Sequence, residues 1–308
     1  MKENIRVGYG EYITKLGKTN KEILLLEGDL ADSTCSDIFE REHAERHFQM
    51  GIAEQNMVGV AAGLALEGKI PFVNTFAAFI AMRACEQVRT SVAYPNLNVK
   101  FVVSHAGVSA GSAGPTHHTL EDIAIMRSIP NMTVLVPGDV REVEQIIDAS
   151  IDHIGPVYIR NSATDILSVY GDHKFRIGKA TKLREGNDVT IITTGIMMQE
   201  GTLASDKLEK DFGIKARVLQ MASIKPIDRD AIEEAAQETN LIVTAEEHNI
   251  LGGLGGAVSE IVSESNNCRV LRIGINDNFS GIGTPDYLLD EEGLRSENIV
   301  KTIVEALN

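Results

Sequence analysis

The sequence predicts an α/β protein of two domains, each built on a mostly parallel sheet covered by helices. Three observations carry this. Strand-length apolar runs alternate with longer stretches of helical period, the alternation lapses once between Asn161 and Gly186, and 308 residues exceed what one core usually serves.

In the first stretch, strand-length runs fall at Glu22–Leu26, Ile70–Thr75, Val99–Ser104, Thr133–Val136 and Val157–Arg160. They are close to continuously apolar, as strands covered on both faces must be. Helical periods fit Val7–Gly17, Ala53–Gly68, Phe76–Ala93, Leu120–Ser128 and Val140–Ile154. Polar, turn-rich sequence then predicts a linker over 164–186, leaving a first domain over 1–163. Alternation resumes in a smaller, Rossmann-like domain over 187–308. Its strands are Val189–Thr193, Ala216–Gln220, Leu241–Thr244 and Val270–Ile273. Its helices are Met198–Phe212, Arg229–Glu238, Gly255–Ser265 and Ser296–Leu307.

Bulk properties exclude several functions. Twenty-nine Lys and Arg face 44 Asp and Glu, and a net charge of -15 repels nucleic acid and anionic membrane surfaces at long range. A local basic pocket for a small phosphate remains compatible with that charge. Cys35, Cys85 and Cys268 have no zinc spacing and an odd count, which predicts a reducing, cytoplasmic setting. The polar start, MKENIRVGYG, has no signal-peptide pattern. The apolar stretch Ile70–Met82 is interrupted by Asn74 and Thr75, and falls short of the roughly 20 residues a spanning helix needs.

Three segments carry candidate chemistry. In Gly51-Ile52-Ala53-Glu54-Gln55-Asn56-Met57, Glu54 heads a helix of small residues that a neighbouring backbone can approach closely. Its carboxylate fits two roles: complement to the helix dipole, or a buried acid with a raised pKa suited to proton chemistry. In Thr75-Phe76-Ala77-Ala78-Phe79, two aromatics three residues apart share a helix face. They are either core residues or a platform for a flat heterocycle at a strand's carboxyl end. The loop Ser104–His118 is rich in Gly, Ser and Ala with His at both ends. Such a loop predicts substrate-facing imidazoles, since adjacent His117 and His118 cannot readily chelate one metal together. By contrast, Leu251–Gly256 lacks G-x-G-x-x-G and the P-loop Lys, and predicts a tight turn into a packed helix. Glu246, Glu247 and His248 before it predict a domain or subunit interface.

Together, in this order and spacing, these segments resemble the second half of the transketolase family. The resemblance continues through Glu121–Ala124, Arg127–Met132 and the Phe279…Gly283-Thr284-Pro285 turn, so it spans essentially the whole chain. It implies a pyrimidine-binding domain followed by the family's C-terminal domain, with thiamine diphosphate as cofactor. Glu54 would hydrogen-bond N1′ of the aminopyrimidine and favour the tautomer that deprotonates the thiazolium. Phe79, with Phe76, would stack on the pyrimidine, and Met82 takes a position where some relatives carry an aromatic. Asp29 and Leu30 match the strand end near the cofactor. Arg6, Ser33, His105 and Arg160 match residues that hold the sugar phosphate, and His117 matches the histidine that contacts the substrate carbonyl and hydroxyls. Ala113 departs from the family, where an Asp before Gly-Pro-Thr-His reads a sugar hydroxyl.

No Gly-Asp-Gly motif for Mg²⁺ and diphosphate is present: Gly28-Asp29, Gly138-Asp139 and Gly171-Asp172 continue with Leu, Val and His. The resemblance therefore implies that an N-terminal transketolase subunit supplies that site, in an α2β2 heterotetramer acting on sugar phosphates. A 2-oxoacid dehydrogenase E1 β subunit and a deoxyxylulose-phosphate-synthase-like fragment share the two-domain plan. A non-catalytic partner subunit is the reading outside enzymes.

Overall fold

The computed structural model describes residues 2–265 and 268–308. The chain opens with β1 (Lys2–Asn4) and α1 (Ile5–Thr19), where the Asn4 side chain caps the helix by accepting the Arg6 backbone N–H. β2 (Ile23–Glu27), α2 (Ala31–Thr34), α3 (Asp37–His43), β3 (His47–Gln49), α4 (Glu54–Leu66) and β4 (Ile70–Phe76) follow. Beyond a short α5 (Cys85–Gln87) come β5 (Lys100–Ser104), α6 (Asp122–Ser128), β6 (Thr133–Leu135), α7 (Val140–Asp152) and β7 (Val157–Arg160). The remaining elements are β8 (Asp165–Leu167), β9 (Thr181–Arg184), β10 (Val189–Thr193), α8 (Met197–Phe212), β11 (Ala216–Gln220) and β12 (Ser223–Lys225). The chain closes with α9 (Arg229–Glu238), β13 (Leu241–Asn249), α10 (Leu254–Ser265), β14 (Arg269–Ile275), α11 (Pro285–Glu291) and α12 (Ser296–Leu307).

The first sheet runs β12-β6-β7-β5-β4-β2-β3, parallel except for β12 at its edge. The second runs β14-β13-β10-β11-β9, parallel except for β9. Both are mostly parallel, as predicted, and their central strands are buried throughout. The second-domain strand β12 pairs with β6 of the first domain, so hydrogen-bonded sheet crosses between the two units. The predicted linker is not structureless either. β8 pairs antiparallel with β1, and β9 edges the second sheet. Among the described residues no helix is long and apolar enough to cross a membrane.

Two local departures shape the site. The sequence predicts one α-helix over Phe76–Ala93, but β4 runs on to Phe76, and the following helix is wound wide over Phe79–Arg83 and again over Val88–Ala93. Such π-helical turns absorb extra residues within a helix and re-aim the side chains they carry. Phe76 therefore ends a strand, and Phe79 alone is helical. On α4, Met57, Val58, Ala61 and Ala62 pack inward, whereas a methyl group at Gly59 or Gly63 would meet nothing within 4 Å. The close neighbour that the small residues predict is not supplied at those glycines by the chain itself.

Candidate functional site

Parallel register brings the carboxyl ends of β2, β4 and β5 side by side, with Glu27 opposite Asn74 and Phe76 opposite Ser104. Ligands of open parallel sheets bind at this edge. The segments beyond these strand ends carry most of the predicted site residues.

Glu54 is the first residue of α4 and only 1% exposed. The helix start complements its charge, and Arg83 completes the compensation. Arg83 Nη1 donates to both carboxylate oxygens, at 2.8 and 2.9 Å. The same guanidinium lies 4.3 Å from the centre of the Phe79 ring. A planar, hydrogen-bond-donating group thus bridges the Glu54 carboxylate and the Phe79 face. Met82, by contrast, is 47% exposed, and the cation over the ring comes from its neighbour Arg83.

The aromatic pair and two histidines form one contiguous group. Phe76 and Phe79 stack with centroids 5.8 Å apart. The His105 ring lies 4.0 Å from that of Phe76, and His117 presents itself edgewise to both phenylalanines at 6.0 and 5.6 Å. His105 has φ 57°, in the left-handed region that a side chain disfavours, and such strain clusters at ligand sites. Burial, then the positive charge of Arg6 and the neighbouring His117 ring, pull its pKa down to about 4, so the His105 imidazole is neutral near pH 7. Ser104 Oγ lies 3.0 Å from His105 Nδ1, and Thr116 Oγ1 lies 2.9 Å from His117 Nδ1. His118 is turned inward, its Nε2 2.8 Å from the Gly111 carbonyl oxygen.

The predicted phosphate set divides. Arg6 donates from Nη1 to the Ser33 carbonyl at 2.8 Å, and its charge reaches His105, so these three gather at one edge. Arg160 does not present itself there. It is 4% exposed, its Nε donates to Asp122 at 2.9 Å, and its Nη2 donates to the carbonyls of Thr119 and Glu247. An acid across the interior, Asp122, claims this guanidinium in the free chain. Asp29 is exposed with φ 66°, and its N–H donates to Gln49 Oε1 at 2.8 Å. The Leu30 N–H donates to Glu27 at 3.3 Å.

Three structural residues were not singled out for these roles by sequence. Arg83 is one, although its place four residues after Phe79 is the spacing that puts two side chains on one helix face. Glu27 is another. This buried carboxylate accepts from the Gly28 and Leu30 N–H groups and from Thr34 and Ser36 hydroxyls, tying down the segment that carries Asp29 and Ser33. Burial raises its pKa to about 7, against the lowering effect of those donors. Asp122, which claims Arg160, is the third.

The second domain buttresses the histidine loop. Glu247 accepts from the Ser109 N–H and hydroxyl, which makes the predicted interface here a domain interface. Glu246 accepts from the Leu254 and Gly255 N–H groups, both at 2.7 Å. A carboxylate thus already occupies the start of α10, so the glycine-rich turn before it is structural, as the missing phosphate-loop residues predict.

Comparison with known proteins agrees with this geometry. The transketolase pyrimidine-binding domain matches residues 2–166, and the transketolase C-terminal domain matches 178–299. A Methanocaldococcus jannaschii protein named as a transketolase C-terminal section is 44% identical, over 99% of this chain and 96% of its own. A 6-deoxy-6-sulfo-D-fructose transketolase subunit of a Clostridium strain is 40% identical, over 98% of this chain and 94% of its own. The solved structure of a split-gene transketolase, an inactive β4 tetramer, superposes with a TM-score of 0.91 at 45% identity, covering 98% of both chains. The chain belongs to the transketolase family, and it corresponds to the C-terminal section of a split transketolase.

Proposed function

We propose that the chain is the C-terminal subunit of a two-chain, thiamine-diphosphate-dependent transketolase that moves a two-carbon ketol unit from a ketose phosphate to an aldose phosphate. The observation that carries this is the bridge between Glu54 and Phe79. A flat group already fits there, and an aminopyrimidine is likewise flat, with a ring nitrogen at its edge that can share a proton with the carboxyl group.

When bound, thiamine diphosphate supplies the electron sink for carbon–carbon cleavage. Glu54 holds a proton in common with the pyrimidine ring nitrogen, in a pocket from which burial excludes water. Phe79 and Phe76 provide the stacking face, and Asp29 and Leu30 close the strand end beside it. His117 contacts the substrate oxygens. Neutral His105 packs against Phe76 within reach of the Arg6 charge, and with Arg6 and Ser33 it receives the anionic end of the sugar. Arg160 is left out of this set. The sulfosugar-transketolase relative makes sulfonate a natural alternative to phosphate at that end.

With no Gly-Asp-Gly motif in this chain, Mg²⁺ and the diphosphate fall to an N-terminal partner subunit, in an α2β2 assembly with a cytoplasmic setting. The similarity to split-transketolase sections supports this division. Mixing the purified chain with its N-terminal partner, thiamine diphosphate and Mg²⁺ should give ketol transfer that neither chain gives alone. Ketol transfer by this chain alone would refute the division of labour.

A further inference from the structure

We propose that Arg83 occupies the pyrimidine position in the free chain and must be displaced before the cofactor enters. The inference rests on the cofactor reading above and adds a competitor to it. Glu54 is nearly inaccessible, and a buried carboxylate without a partner is strongly unfavourable. Arg83 supplies the partner through Nη1, which donates to both oxygens, and sets the same guanidinium 4.3 Å from the centre of the Phe79 ring. These are the two surfaces an aminopyrimidine would use, so ring and guanidinium exclude one another.

The arrangement is also built to open. Arg83 is 46% exposed in its side chain, whereas Glu54 is 1% exposed. One end of the arginine stands in solvent, and rotation about its own side-chain bonds removes it without disturbing the core. Its backbone is held separately, because the Gln55 side chain donates to the Arg83 carbonyl at 3.1 Å. A closed population lowers apparent affinity by the fraction of molecules that are open. The free chain therefore binds the pyrimidine weakly, and its site stays filled by its own residue.

The test is calorimetric titration of the full chain with the free aminopyrimidine alcohol, 4-amino-5-hydroxymethyl-2-methylpyrimidine. Arg83→Met should bind it about tenfold more tightly than the wild type, since a charge-assisted competitor has gone. Arg83→Lys keeps a cation beside Glu54 but loses the planar guanidinium over Phe79, and should fall between the two. Glu54→Gln combined with Arg83→Met should abolish the gain. If Arg83→Met does not fold, Arg83→Lys alone decides, and binding no tighter than wild type overturns the proposal. Equal or weaker binding by a folded Arg83→Met chain overturns it too. In that case, Glu54-dependent binding of thiamine diphosphate by the complex of both subunits would leave the cofactor reading standing. Failure of the complex to bind thiamine diphosphate would remove both.

Discussion

Glu247 of the second domain accepts hydrogen bonds from both the backbone N–H and the hydroxyl of Ser109, in the histidine loop of the first. The fit is close, since a side chain at Gly107 would collide with the same carboxylate. The second domain thereby sets the shape of a loop whose far end carries His117. Glu247→Ala should leave the Ser109 N–H buried without a partner, costing about 2 kcal/mol of stability. In the assembled enzyme it should raise KM for the sugar, and hydrogen exchange over 107–118 should quicken. Glu247→Gln keeps an acceptor and should restore most of the loss.

Phe79 is expected to contribute chiefly through its face. In the complex of both subunits, Phe79→Ala should weaken thiamine diphosphate binding by a factor of about 2 to 12, the equivalent of roughly 0.5–1.5 kcal/mol of ring stacking. Equilibrium titration of the cofactor, with the pyrimidine alone as a second probe, measures this directly.

How much of this was legible in the sequence follows from what each signal encodes. Strands buried on both faces must be apolar throughout, so Val157–Arg160, Val189–Thr193 and Ala216–Gln220 were bounded correctly from their residues alone. Lys2–Asn4, Thr181–Arg184 and Ser223–Lys225 are short edge strands with polar residues, and their pairing partners lie far along the chain. Nothing local marks them. Within the site, Glu54, Phe76, Phe79, His105 and His117 are expected from the resemblance, and the structure gathers the four rings together, with Glu54 joined to Phe79 through Arg83. A sequence cannot show Asp122 opposite Arg160, and Arg83 was passed over because its tie to Glu54 joins residues 29 apart in the chain.

Glu27 makes the account sensitive to pH. Its folded pKa is raised to about 7, above the ordinary carboxyl value, chiefly by burial. The folded state therefore binds the Glu27 proton more tightly than the unfolded chain. That contribution is present below the unfolded pKa and is lost as pH rises through about 7. The stability of the wild type relative to Glu27→Gln should fall between pH 5 and pH 8, by at most about 3 kcal/mol. Thermal melts of both proteins across that range read the difference, and a constant or rising gap contradicts the assignment.

The central claim is that Glu54 activates a cofactor whose diphosphate end another chain holds. It is tested most directly by ketol-transfer rate in the mixture of this chain and its N-terminal partner, with Glu54 against Glu54→Gln. The variant should assemble with the partner and yet turn over about 10²- to 10⁴-fold more slowly, the range that loss of a positioned proton-transfer group produces. An assembled Glu54→Gln enzyme with the wild-type rate would contradict the account.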